Sequence, residues 1–175
     1  LIDSSLTYAR FEREQPEPQL CAVDIAPWLA EQVDSSRLLA RRLELQLDTT
    51  ALPARLQVEL DRKSMPYAIT NLLRNAIRYA RTRVRVSAEV LDEQIQVHVD
   101  DDGIGIPPDE RERVFSAFTR LDRSRDRATG GYGLGLAIAR LVLEQHGGSA
   151  SAAASPLGGA RFTLSWPLSQ NVTES

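Results

Sequence analysis

Val84, Val86, Ala88 and Val90 alternate with polar residues, and Ile95, Val97 and Val99 resume the alternation after Asp92 and Glu93. Period-two patterning is that of half-buried strands, and the acidic pair between them reads as a hairpin turn. A hairpin with one apolar face has to set that face against a second layer. Upstream, Met65, Ile69, Leu72, Leu73, Ala76, Ile77 and Ala80 form the apolar stripe of a helix. Asp61 can cap that helix, and Pro66 lies near enough to its start to be tolerated. Nearly opposite the stripe, Tyr67, Asn71, Asn75 and Arg78 make a second row. Asparagine is a poor helix former, so two of them in one row are mildly unusual for a merely solvated face.

The rest of the chain adds short elements around this pair. Val23 and Ile25 suggest a strand, and Pro27 opens a helix that continues through Trp28, Leu29, Val33, Leu38 and Leu39 toward Arg41. Leu43, Leu45 and Leu47 alternate, as do Leu56, Val58 and Leu60 after a turn at Leu52-Pro53. Pro108 to Phe118 reads as a short helix and turn, with Phe115 and Phe118 inward. A helix through Leu134, Ile138, Leu141 and Val142 ends at His146-Gly147-Gly148; His146 sits where a cation suits the helix dipole, and Gly147 can take the left-handed cap. A weak strand at Ala150–Ala154 and a last one at 161–167 follow, then a polar tail over 169–175.

Composition bounds the class. A chain of 175 residues with 42% hydrophobic and 26% charged content fits one soluble domain with a real core. A net charge of -3 makes no global case for nucleic acid or an anionic membrane. No apolar run approaches the roughly 20 residues of a spanning helix. Cys21 stands alone, which points to a reducing compartment. Residues 1–11 look like the last turns of an amphipathic helix entered mid-pattern, so the chain reads as a piece of a longer protein. Residues 12–19, with Pro16 and Pro18, read as a linker, and the compact domain spans 20–168.

Two polar stretches carry the chemistry. Asp100-Asp101-Asp102-Gly103-Ile104-Gly105-Ile106 leaves a strand directly, and three adjacent carboxylates need a partner or solvent. Their contiguity, with no later Glu in place, argues against a calcium loop. Gly130, Gly131, Gly133 and Gly135 crowd the start of the helix, where free N–H groups suit phosphate. Before them, Arg120, Arg123, Arg125 and Arg127 lie in a segment nearly free of apolar side chains, whose default reading is a mobile loop and whose position suits a phosphate-covering lid. The glycine spacing is not the G-x-G-x-x-G of a dinucleotide site, and there is no Walker Gly-Lys-Ser/Thr.

Taken together, these boxes resemble the catalytic ATP-binding domain of sensor histidine kinases, in the group shared with gyrase, Hsp90 and MutL. The N box is Asn71-Leu72-Leu73-Arg74-Asn75-Ala76-Ile77-Arg78-Tyr79, and the first glycine box is Asp101-Asp102-Gly103-Ile104-Gly105-Ile106. The F box is Phe115-Ser116-Ala117-Phe118, and the second glycine box is Gly131-Tyr132-Gly133-Leu134-Gly135-Leu136. Gly158-Gly159 fits the last glycine turn, and residues 1–11 resemble the end of the second dimerisation helix. Stretches 120–127 and 157–162 are similar to RstB-type bacterial sensors.

The resemblance implies an α+β fold, a two-layer α/β sandwich with a mixed sheet of about five strands and three helices on one face. It implies ATP and Mg²⁺ as cofactors and transfer of the γ-phosphoryl group to a histidine. Asp101 would accept from the adenine amino group, with Gly103 and Gly105 letting the backbone pass close to the base. Asn75 would bind Mg²⁺ through its carbonyl oxygen, while Asn71 and Arg78 would reach phosphate oxygens. Tyr79 would lie against adenine, and Gly131, Gly133 and Gly135 would present N–H groups to the phosphates. Ile106, Arg127, Thr129, Gly130, Tyr132, Leu134 and Leu136 complete the implied lining.

Two departures stand out. Arg78 replaces the usual lysine, and Tyr67 occupies the position where hydrolase relatives carry a catalytic glutamate, which argues against an efficient ATPase. Neither His98, outward on a strand, nor His146 lies in the His-Glu setting of a phosphoacceptor. The acceptor would belong to a dimerisation domain of the parent, a homodimeric inner-membrane sensor with this part cytoplasmic, signalling to a response regulator. No nucleic-acid partner is expected. The rivals are an ATPase or serine-directed anti-sigma kinase of the same superfamily, or a catalytically silent nucleotide-binding module.

Overall fold

The computed structural model describes residues 4–14, 17–116 and 134–170. The order of elements is α1 (Ser4–Glu14), β1 (Leu20–Asp24), α2 (Ile25–Ser35), β2 (Glu44–Asp48), β3 (Gln57–Asp61), α3 (Met65–Tyr79), β4 (Arg83–Leu91) and β5 (Gln94–Asp101). Two single 3₁₀ turns at Pro108–Glu110 and Arg113–Phe115 precede α4 (Gly135–Gln145), β6 (Ser149–Ala154) and β7 (Ala160–Pro167).

The main sheet has the strand order β2-β4-β5-β7-β6, with β2 parallel to β4 and the remaining pairs antiparallel. β1 and β3 form a separate antiparallel pair. The expected hairpin is β4–β5, and Asp92 and Glu93 both take positive φ, 52° and 61°, the geometry of a two-residue hairpin turn. Val84, Val86, Ala88, Ile95, Val97 and Val99 on its inner face are buried, together with Phe162, Leu164 and Trp166 of β7. α2, α3 and α4 contribute Leu29, Leu72, Leu73, Ile138 and Val142 to the same core. The layers are those expected of a sandwich with helices on one face of a mixed sheet.

Local boundaries differ from expectation where turn chemistry overrides pattern. Ile25 opens α2 rather than closing a strand: Asp24 is the last extended residue, with φ -74° and ψ 106°, and Ile25 N–H donates to the Leu56 carbonyl at 3.1 Å. Pro108 to Phe115 forms two 3₁₀ turns in place of a short α-helix. α1 continues to Glu14, three residues into the expected linker, and packs against α4. Ser169 and Gln170 are tied down rather than free. The Ser169 hydroxyl and Gln170 N–H both donate to Glu59 Oε1, at 2.6 and 3.2 Å.

Both histidines are structural. His98 faces outward from β5, yet it is buried, with Nδ1 2.8 Å from the Thr163 hydroxyl and Nε2 3.4 Å from Glu89. His146 is not a dipole-stabilising cation. It is 1% exposed; Nδ1 donates to the Val142 carbonyl at 2.8 Å, which leaves Nε2 as acceptor for the Asp61 N–H at 3.0 Å. Burial pushes its pKa below the ordinary 6.5, against the opposing Val142 bond and Asp61 charge. The unfolded chain therefore takes up a proton that the folded chain refuses as pH falls below 6.5, and stability declines in that direction. Melting temperature followed from pH 7.5 to 5.5 should fall more steeply for the wild type than for His146→Gln. Parallel curves would refute the role.

Candidate functional site

The three consecutive aspartates resolve into three separate environments. Alternation along β5 sends Asp100 to the outer face of the sheet and Asp101 to the inner one. Asp100 meets Arg161 in a bidentate pair at 2.9 and 3.0 Å and accepts the Ser155 hydroxyl at 2.9 Å. Asp102, just past the strand, accepts the N–H groups of Arg81, Thr82 and Arg83 at 2.8, 3.0 and 3.2 Å, together with the Thr82 hydroxyl. Some desolvation opposes its ionisation, but these donors outweigh it and hold the carboxyl well below the usual carboxylate range. Repulsion within the run is offset pair by pair.

Asp101 is the exception. It is 2% exposed, and one oxygen, Oδ1, accepts both the Gly103 N–H at 2.9 Å and the Ala160 N–H at 3.2 Å. Oδ2 has no hydrogen-bond donor among the described residues. Burial raises its pKa above 3.8, with the neighbouring Asp102 and Asp100 charges adding to that and the two backbone donors opposing it. A buried carboxylate whose Oδ1 is held by two backbone N–H groups presents Oδ2 as a rigid, directional acceptor.

The glycines around it also meet needs of the fold itself. A Cβ on Gly103 would lie 2.1 Å from the Tyr79 carbonyl, so the loop after β5 can rest on the end of α3 only as glycine. Gly105 has φ +73°, in the left-handed region, and Arg111 Nε ties the following turn by donating to the Ile106 carbonyl at 3.1 Å. Gly159, just before β7, would place a Cβ 2.1 Å from Asp101 Oδ1 and 2.5 Å from Gly103 N. Its own N–H donates to the Asp101 carbonyl at 3.1 Å. Gly159 and Ala160 are therefore part of the Asp101 setting, although the sequence marked them only as a glycine turn.

α3 and α4 pack along one another and bring the asparagine row to the start of α4. A Cβ on Gly135 would sit 3.5 Å from Asn71 Oδ1, so Asn71 lies against the first residue of α4. Asn71 and Asn75 are half-buried, Arg78 is exposed, and Tyr79 is half-buried. Tyr67 leans on the core, as do Ile106 and Leu136. Leu134 is buried, which leaves its backbone rather than its side chain to face a ligand. Arg127, Thr129, Gly130, Gly131, Tyr132 and Gly133 lie outside the described residues, as do Phe118 and the Arg120–Arg127 stretch.

Among the described residues no group of three His, Cys, Asp or Glu side chains could hold a metal. The hard-oxygen donors on offer are the amide carbonyls of Asn71 and Asn75, which suit Mg²⁺ shared with phosphate and water rather than a protein-built cage. The start of α4 lies against Asn71, and the unpaired first N–H groups of a helix are a setting for anions. A buried carboxylate, two amide oxygens and the start of a helix thus converge in one region. Residues 60–170 match the family described as histidine kinase-, DNA gyrase B-, and HSP90-like ATPase. The chain belongs to that family.

Within this ATPase family the sensor protein RstB of Escherichia coli strain K12 is 40% identical over 174 residues, covering 99% of this chain and 40% of the relative. Full-length ShkA, crystallised in complex with AMPPNP, superposes with a TM-score of 0.81 at 26% identity, over 97% of this chain and 35% of that one. The nucleotide-free catalytic domain of histidine kinase ThkA shares the fold at a TM-score of 0.74, with 86% of this chain and 96% of that one covered and 24% identity. The chain spans less than half the length of the curated relatives it matches. No described helix is long and apolar enough to cross a membrane.

Proposed function

We propose that this chain is the ATP-binding kinase module of a two-component sensor, donating the γ-phosphoryl group of ATP to a histidine on a dimerisation domain of its parent. The observation that carries this reading is Asp101, whose Oδ1 is locked by Gly103 and Ala160 while Oδ2 is left for a ligand donor. The exocyclic amino group of adenine is such a donor, and guanine presents a carbonyl at the same edge, so the site selects ATP. Likeness to sensor proteins along 99% of the chain, and to a full-length structure holding AMPPNP, supports the nucleotide and the class.

The residues divide the work. Tyr79 flanks the base and Asn71 steers phosphate oxygens toward the start of α4, with Arg78 adding charge from the exposed edge. Gly135, with Gly131 and Gly133, presents N–H groups to the phosphate chain, and Ile106, Leu136, Arg127, Thr129, Gly130, Tyr132 and the Leu134 backbone line the remainder. Mg²⁺, bound through Asn75, supplies charge neutralisation across the phosphates. Phosphoryl transfer needs positioning and charge more than acid–base chemistry, so this set suffices without a carboxylate on α3. Tyr67 in place of a glutamate keeps water from being activated, which favours transfer over hydrolysis.

α1 would be the end of the second dimerisation helix, joined by the linker to the catalytic domain at 20–168. The parent would be a homodimeric inner-membrane sensor with this part in the cytoplasm, its phosphohistidine passing the group to a response regulator. The test is to supply the parent's dimerisation domain in trans with radiolabelled ATP. Acid-labile label on that domain is expected, and its absence would sink the reading. Asn75→Ala should lower transfer by about a hundredfold while weakening nucleotide binding by no more than about tenfold, since metal-assisted charge neutralisation acts chiefly on the reacting phosphate. Equal losses in calorimetry and transfer would contradict the metal role of Asn75.

A further inference from the structure

Away from the nucleotide region, the turn between α2 and β2 presents an unusual surface. Leu38 and Leu39 are 78% and 60% exposed, adjacent, and the centre of the stretch Arg37-Leu38-Leu39-Ala40-Arg41-Arg42. The segment is not a loose loop. Ala40 is buried and anchors it, Leu39 N–H donates to the Ser36 carbonyl at 3.1 Å, Ala40 N–H to Arg37 at 3.1 Å, and Leu43 N–H to Ala40 at 2.8 Å. A rigid turn therefore holds two large apolar side chains in water at a cost the fold does not require.

The fold then adds charge from a distant part of the sequence. Glu44 N–H donates to the Thr82 carbonyl at 2.8 Å, and Glu44 is the register partner of Arg83, so Arg81 and Arg83 stand beside the turn. The acids in reach are already engaged. Asp34 holds Arg37 at 2.8 Å, Glu44 accepts from Gln46 at 2.5 Å, and Asp102 is occupied by the N–H groups of Arg81, Thr82 and Arg83. Arg41, Arg42 and Arg81 are exposed and have no ion-pair partner among the described residues. A chain of net charge -3 thus concentrates five arginines around one exposed leucine pair.

We propose that this patch docks on an anionic lipid surface. The apolar part of the patch is only two exposed leucines, far too little area for a stable protein interface. A bilayer interface asks for less: a few apolar atoms inserted at headgroup depth, ringed by guanidinium groups facing phosphate. The guanidinium is suited to this because its fork matches phosphate geometry. Attraction of this kind is screened by salt, which separates it from simple hydrophobic adhesion.

The test is co-sedimentation of the chain with vesicles of phosphatidylcholine, with and without phosphatidylglycerol, at low and high salt. Binding is expected only with phosphatidylglycerol and should weaken as salt rises. Leu38→Ser/Leu39→Ser and Arg41→Glu/Arg42→Glu should each reduce partitioning by about tenfold or more. Both variants should keep the wild-type melting temperature and ATP affinity, since none of these side chains is buried. Equal sedimentation with both lipids, or variants that bind like the wild type, would overturn the proposal. So would concentration-dependent self-association without lipid that the leucine variant abolishes, because the patch would then be a contact between copies.

Discussion

Asp101→Asn is expected to abolish ATP binding while leaving the empty protein at least as stable as the wild type. The two halves of that outcome come from the two oxygens of one carboxylate. Oδ1 takes the Gly103 and Ala160 N–H groups, and an asparagine carbonyl can keep both bonds. The amide NH₂ must then stand where Oδ2 was, so a donor faces the amino group of adenine. A site built around one acceptor and then given a donor loses about a hundredfold or more in affinity.

The stability half follows from the direction of the Asp101 shift. Burial raises its pKa above 3.8, so across that window the folded state holds the proton more tightly than the unfolded chain. Stability from this group is therefore lost as pH rises, and at neutral pH the ionised carboxylate is a net burden on the empty fold. A neutral asparagine removes that burden. Calorimetry with ATP and a thermal scan at pH 7.5 report the two halves separately. An affinity within about threefold of the wild type would remove Asp101 from the site, because a lost buried hydrogen bond costs more than that. A large fall in melting temperature with binding lost would instead make the residue structural.

The same residue marks where sequence reading runs out. Alternation in Val84–Val99 and the stripe of α3 were enough for the two layers, because both patterns report directly on which face is buried. Asn71 and Asn75 were readable for the same reason: the helical period by itself places them in one row. The fates of Asp100, Asp101 and Asp102 were not. They depend on Arg161, Ala160 and Thr82, residues brought in by sheet register and by a turn, which no local window contains. His146 misled for a related reason. Its place at a helix end suggested a cation, but β3 closes over it and supplies an N–H that requires a neutral acceptor. Gly103 was legible as necessary, but the Tyr79 carbonyl that a Cβ there would strike was not, because it lies 24 positions away in the sequence.

Gly159→Ala should destabilise the protein by about 3 kcal/mol and remove ATP binding with it, as a core overpacking change would. The added methyl carbon would lie 2.1 Å from Asp101 Oδ1, 2.5 Å from Gly103 N and 2.6 Å from Asp101 O. None of these can step aside cheaply. The carboxylate is pinned by two N–H groups, Gly103 is pressed against Tyr79, and Gly159 is itself held through its N–H on Asp101 and its carbonyl on the Ser155 N–H at 2.9 Å. Relief must come by shifting β7 from β5 or by turning the carboxylate out of its socket, and either one misplaces Oδ2. Gly135→Ala is the matched control. Its methyl would meet Asn71 Oδ1 at 3.5 Å, an ordinary contact, and alanine in a helix is favoured over glycine by up to about 1 kcal/mol. That variant should keep its melting temperature and lose affinity only in so far as a bare α4 start is needed by phosphate. If Gly159→Ala melts within about 1 °C of the wild type, the Asp101 socket is softer than these distances allow, because 3 kcal/mol in a chain of this size moves the transition by several degrees.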